Sequence, residues 1–207
     1  MDLRKLLLPG FAYIPPRSFE LPASVKLTLD GAGADEILFP VGEDNSFYSA
    51  KIADTIYFIS RAAEGGERRD YAIDTSSGLV TRVSGGTDGA KFDFGVIEGA
   101  AAAERHALTR DLDGNRVKWT FGPGAEDSMT AEYSGGGVAI TYHNGSVKSP
   151  KAFAAARVAE GVYLCCEAFG EYRVTKLCDF GKDLAVGSVF DGKGASFFGG
   201  WGKILQI

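Results

Sequence analysis

Phe47-Tyr48-Ser49-Ala50-Lys51-Ile52-Ala53-Asp54-Thr55-Ile56-Tyr57-Phe58 is echoed by Phe153-Ala154-Ala155-Ala156-Arg157-Val158-Ala159-Glu160-Gly161-Val162-Tyr163-Leu164. Phe47 falls on Phe153 and Tyr57 on Tyr163, a constant offset of 106 residues. Phe, two Ala and Tyr are identical, and the Lys/Arg, Ile/Val and Asp/Glu pairs keep their chemistry. After a one-residue gap Asp74 falls on Asp179 and Leu79 on Leu184. Matched hydrophobic phase, basic residue and turn acid together predict an internal duplication. It divides the chain into an N-terminal repeat over 1–97 and a C-terminal repeat over 98–207.

Working outward, short alternating runs recur on both sides. Val25–Leu29, Asp70–Asp74, Arg116–Phe121, Val138–Tyr142 and Arg173–Leu177 all have strand character,. Asp-Gly, Gly-Gly and Asn-Gly pairs divide many of them, supplying the positive φ that hairpin turns need. The chain is therefore expected to be all-β and antiparallel. Closure into a barrel hides the edges of such a sheet, and the two repeats make two barrels or share one. Only Glu98–Leu108 breaks the pattern. Its run Ala100-Ala101-Ala102-Ala103-Glu104-Arg105 favours helix and predicts a short linker helix,. A second short helix is expected over Leu3–Leu8, ended by Pro9-Gly10.

Several function classes recede on composition alone. A net charge of -5 with no basic run longer than Arg68-Arg69 gives no footprint for nucleic acid,. No stretch approaches the roughly 20 apolar residues of a membrane helix, and Leu6-Leu7-Leu8 stops at Pro9, too short for a signal peptide,. Three cysteines, two of them adjacent, suit free thiols in a reducing compartment, so the expected location is cytoplasmic,. Two histidines and three cysteines without ligand spacing predict no metal and no cofactor,. Phe197-Phe198 near Trp201 leave room for a homodimer.

His106-Ala107-Leu108-Thr109-Arg110-Asp111-Leu112-Asp113-Gly114-Asn115-Arg116-Val117-Lys118-Trp119-Thr120-Phe121 resembles the opening of the C-terminal domain of the molybdenum cofactor biosynthesis protein F (MoaF) family. Gly161–Leu164 with Leu177–Phe180 is similar to that family's next block, and Ile56–Ile59 through Asp74 to Gly78–Thr81 to its N-terminal domain. The resemblance spans roughly 45–207 and implies a calycin, or lipocalin-like, fold. Where the family carries Trp-Arg-Glu-Lys, this chain has Cys165-Cys166-Glu167-Ala168. Where it carries a His-containing strand, this chain has Ser128–Tyr133.

In a barrel, residues of one parity face inward. Tyr57, Ile59 and Arg61 share a parity, and their repeat partners are Tyr163, Cys165 and Glu167. This aromatic, thiol and charged set suits a ligand-lined interior. Arg61 is the candidate to anchor an anion or polarise a carbonyl, and Glu167 the candidate acid or base, with Tyr163 beside it. His143, at a strand end before Asn144-Gly145, is the further proton-transfer candidate,. Tyr48, Tyr57, Tyr71, Tyr133, Tyr142, Trp119 and Cys165 are candidate binding residues on apolar walls. The expected function is a cofactor-independent lyase or isomerase/cyclase of specialised metabolism, holding a small apolar or aromatic carbonyl or acid substrate. The alternative is a non-catalytic carrier of a hydrophobic metabolite.

Overall fold

The computed structural model describes residues 21–39, 46–102, 104–122 and 128–205. The first sheet contains β1 (Ser24–Leu29), β2 (Gly33–Leu38), β3 (Phe47–Lys51), β4 (Ile56–Ala62), β5 (Arg68–Asp74), β6 (Leu79–Ser84) and β7 (Lys91–Ile97). The second begins with β8 (Ala107–Thr109), β9 (Arg116–Thr120), β10 (Ser128–Ser134), β11 (Gly137–Tyr142) and β12 (Val147–Lys148). It continues with β13 (Ala152–Ala159), β14 (Val162–Ala168), β15 (Arg173–Asp179), β16 (Leu184–Phe190) and β17 (Ala195–Leu205). All pairings are antiparallel.

The strand orders carry the duplication. The first sheet runs β2-β1-β7-β6-β5-β4-β3, and β10-β9-β17-β16-β15-β14-β13 repeats it strand for strand in the second. The second sheet adds β11 and β12 beyond β10, and β8 beyond β13. Register repeats too: Phe47 faces Arg61 and Lys51 faces Tyr57, as Phe153 faces Glu167 and Arg157 faces Tyr163. Even the turns agree, since Asp74 accepts the Ser76 N–H at 3.0 Å and Asp179 accepts the Gly181 N–H at 2.9 Å.

Alternation along each strand assigns its side chains to two different cores. In β4, Ile59 packs with Leu27, Tyr71 and Ile73 inside the first curled sheet. Ile56 and Phe58, of opposite parity, join Val162, Leu164 and Leu177 in a cluster shared by both sheets. Cys165 points the other way, into a core with Trp119, Tyr133 and Tyr142 inside the second sheet. The molecule is thus two half-barrels packed back to back. Close approach matters at one glycine in particular: a Cβ on Gly202 would stand 2.1 Å from the Trp119 ring, which lies flat on its cross-strand neighbour.

A polar knot is set into the shared cluster. Arg173 and Asp70, both fully buried, pair at 3.0 Å, and Ser188 donates to the same carboxylate at 3.0 Å. Ser60 also donates to Asp70, and Arg68 donates to Ser60 at 2.9 Å. Removing one member of such a pair strands the other's charge without water.

The linker helix expected over Glu98–Leu108 is not formed. Among the described residues of that stretch the chain runs without helix from β7 to β8, and the one helical turn among the described residues elsewhere is a 3₁₀ turn at Glu64–Gly66. The alanine run is too short to sustain a helix by propensity, which needs about 12–15 residues in isolation. Tertiary contacts hold it instead: Glu98 N–H donates to Lys26 O at 2.8 Å, and Arg105 pairs with Asp30 at 2.9 Å. The stretch predicted as helix at Leu3–Leu8 lies outside the described residues. No helix among the described residues is long and apolar enough to cross a membrane.

Candidate functional site

The second half-barrel encloses a buried polar group among aromatic walls. Glu167 on β14 and Lys176 on β15 both point inward, and their side chains pair at 2.5 Å while only 1% exposed. The Lys176 ammonium also lies 4.7 Å from the centre of the Trp119 ring, a cation–π arrangement,. Burial on its own would drive the lysine toward neutrality, but the Glu167 charge outweighs it and holds Lys176 charged, with its pKa raised,. Lys176 lies between Cys165 on one neighbouring strand and Gly187 on the other.

Glu167 Oε2 and Tyr142 OH have no hydrogen-bond partner among the described residues, and Tyr133 OH and Trp119 Nε1 make no hydrogen bond of full geometry, although the indole N–H lies near enough to the phenol to act on it as a donor. Native interiors leave few such atoms unpaired, so a cluster of them calls for an explanation. Burial pushes the Tyr133 phenol far up, with the Cys165 and Glu167 environments adding to it and the Trp119 indole opposing it. Burial raises Tyr142 as well, and Glu167 is among its charged neighbours. Both phenols therefore remain protonated donors at neutral pH. Cys178 is likewise raised well above an ordinary thiol, first by burial and then by contact with Cys165. All three cysteines are free and buried.

Above this interior lies the seam where β8 and β13 approach β10 and β11. Phe153 faces Glu167 across the β13–β14 pair, and its ring packs 5.3 Å from that of Tyr133. Two clefts meet there, sharing Gly136 and Phe153. One, of about 280 Å³, includes Leu108, Thr109 and Arg110; the other, of about 610 Å³, includes Val138, Pro150 and Lys151. The larger falls within the range of small-molecule sites, roughly 300–1,000 Å³, and the smaller lies just below it,.

The structure divides the sequence candidates. Glu167, Tyr133, Tyr142, Trp119 and Cys165 are brought together in the second half-barrel. Tyr163 is on the same face of β14 but four residues from Glu167, ~13 Å along a strand. It packs 5.9 Å from Phe180 instead. Arg61 is in the other half-barrel, paired with Asp35 at 2.6 Å. Tyr71 is beside it, its hydroxyl donating to Asp35 at 2.9 Å and its pKa pushed up to about 12 by burial. Arg82 and Arg69 reach the same carboxylate at 2.9 and 3.4 Å. Desolvation would raise the Asp35 pKa, but Tyr71 and these arginines more than offset it and hold the group below the usual carboxylate range. Tyr57 carries the Lys51 ammonium over its ring at 5.8 Å, and Tyr48 stacks on Phe197 at 4.6 Å in the shared cluster. His143 is exposed in the β11–β12 turn.

Lys176 was not among the residues the sequence singled out. Its signal is the alternation Val174, Lys176, Cys178, which puts a lone charge on the inward parity of a strand. Among the described residues, no three His, Cys, Asp or Glu side chains gather as a metal cluster.

No protein-family model matches this chain, and no curated protein matches it. The resemblance to the MoaF family therefore stands on the residues quoted above, while the half-barrel duplication stands on the strand order and register.

Proposed function

We propose that the protein binds a small aromatic or otherwise apolar carbonyl compound or acid within the second half-barrel, and acts on it as a lyase or isomerase. The observation that carries this reading is the convergence of three donors and one acceptor that make no hydrogen bond of full geometry inside a single aromatic-walled core. Their complement is a flat apolar body bearing an acceptor oxygen and a transferable proton. The calycin-like architecture implied by the MoaF resemblance agrees with such a role.

In the proposed chemistry Glu167 Oε2 takes a proton from the bound molecule, while Oε1 stays anchored on Lys176. Lys176 fixes the orientation of the carboxylate. Tyr133 O–H and Trp119 N–H donate to the oxygen on which negative charge develops, as preorganised donors do in a water-poor site. Return of the proton at another carbon completes an isomerisation. Arg61 and His143, sequence candidates for this chemistry, have no part in it because neither is near Glu167.

Two measurements test the reading. Native mass spectrometry of the purified chain reports any co-purified organic ligand. Incubation with 2-acetylnaphthalene in D₂O, followed by NMR, reports exchange of the acetyl protons. Exchange above the buffer rate in wild type, abolished in Glu167→Gln with binding retained, supports the enzyme. Binding without exchange in the wild type points to the carrier, for which Glu167 is only an acceptor.

A further inference from the structure

We propose that the seam of the second half-barrel carries an anion site built on Arg110, so that the molecule taken there is an aromatic acid rather than a neutral carbonyl compound. This rests on the reading of the interior given above. Arg110 lines the smaller cleft with Leu108, Thr109, Gly136 and Phe153. Its guanidinium lies over Gly136, where a Cβ would stand 3.5 Å from Nε.

The carboxylates nearest in sequence and across the seam bond to groups other than Arg110, although Asp113 does so at Gly136, beside the guanidinium. Asp111 pairs with Arg157 at 3.6 Å, and both oxygens of Asp113 accept the Gly136 N–H at 3.1 Å. Glu132 pairs with Arg116 at 3.1 Å. Among the described residues no carboxylate pairs with Arg110. The adjoining cleft adds a second cation, Lys151, together with Glu132, whose carboxylate is paired with Arg116. A planar guanidinium with a free fork is the side chain best shaped to hold a carboxylate through two hydrogen bonds.

Charge also sets the direction in which an acid would lie. Glu167 repels a carboxylate from the inner end, and Arg110 attracts it to the outer one. Phe153 separates the two, cross-strand from Glu167 on one side and lining the Arg110 cleft on the other. An aromatic ring stacked along Phe153, with Leu108 covering it at the edge, spans the interval. The acid group then sits at the seam, and the far end of the molecule meets Tyr133 and Glu167.

The test is calorimetric titration of the full chain with 2-naphthoate and with its neutral analogue 2-naphthamide. Wild type is expected to bind naphthoate roughly tenfold more tightly, the effect of one charge-assisted contact at a partly solvated site. Added salt should erode that preference. Arg110→Gln should abolish the preference while retaining naphthamide binding, which also shows that the variant folds. Equal affinities in wild type, or a preference that survives in Arg110→Gln, overturn the anion site and leave the interior reading standing. Failure of both probes to bind wild type overturns the two together.

Discussion

The two half-barrels repeat the same strands in the same register and treat their buried polar groups in opposite ways. In the first, Arg61 and Tyr71 meet Asp35, and Arg82 bridges Asp35 and Asp93, at 2.9 and 2.6 Å. Each of these charges has an answering charge or hydroxyl. In the second, Glu167 stands where the repeat has Arg61. It keeps one oxygen on Lys176, while its other oxygen and three neighbouring donors make no hydrogen bond of full geometry. Satisfied networks rigidify a core, whereas partly satisfied ones cost stability and mark a place where something else completes the set. On the proposed function, the duplication separates two tasks, with structure assigned to the first copy and ligand binding to the second.

That contrast can be broken or sharpened by substitution. The largest effect is expected at the junction. Arg173→Met removes the buried charged partner of Asp70, and should lower unfolding stability by about 3–5 kcal/mol in urea denaturation,. Because the knot belongs to both copies, a single transition should shift as a whole. Two separated transitions would mean that the copies fold independently.

Next comes pH, through the stretch joining the copies. His106 is buried against Thr81, 2.8 Å from its hydroxyl, and burial lowers its pKa to about 4. Because the folded value lies below the unfolded one, near 6.5, the unfolded chain takes up the proton first as pH falls. Its stabilisation is complete above the unfolded value and is lost between about pH 6.5 and pH 4, a loss of about 3 kcal/mol. In His106→Asn that segment of the pH–stability curve should flatten. A slope unchanged by the substitution would assign the dependence to other groups.

Within the first copy, Asp35→Asn should cost about 2 kcal/mol, discounted because Arg61 and Arg69 keep some solvent contact,. Ligand binding in the second copy should not change. The smallest effects give the sharpest comparison between copies. Tyr71→Phe loses two hydrogen bonds and should cost about 1–2 kcal/mol,. Tyr133→Phe removes a hydroxyl that makes no hydrogen bond of full geometry and should change stability by less than about 0.5 kcal/mol, or raise it,. Equal losses in the two variants would show that Tyr133 is as well satisfied as Tyr71, and the contrast would fall.

Much of the architecture was legible in the residues. The match of Phe47–Phe58 with Phe153–Leu164 reports the duplication because strands that pair in the same register must keep the same hydrophobic phase. The linker was misread because Ala100–Ala103 speaks only of local propensity, while the contacts of Glu98 and Arg105 are tertiary. The site was legible in part. Parity grouped Cys165 with Glu167, and the tyrosines were visible as a type. What brings Tyr133 rather than Tyr57 to Glu167 is the curl of β10 toward β14, which one strand's pattern does not encode. Arg61 was grouped with Glu167 because their repeat positions match, yet equivalent positions in back-to-back copies lie in separate interiors. Lys176 stayed hidden until β14 and β15 were paired.

A crystal structure of the chain soaked with 2-acetylnaphthalene tests the central claim most directly. The account predicts density for the aromatic body inside the second half-barrel, its oxygen within hydrogen-bond distance of Tyr133 or Trp119 and its methyl group facing Glu167. Density in the first half-barrel, or an interior in which Tyr133, Tyr142, Trp119 and Glu167 bond only to one another, would contradict it.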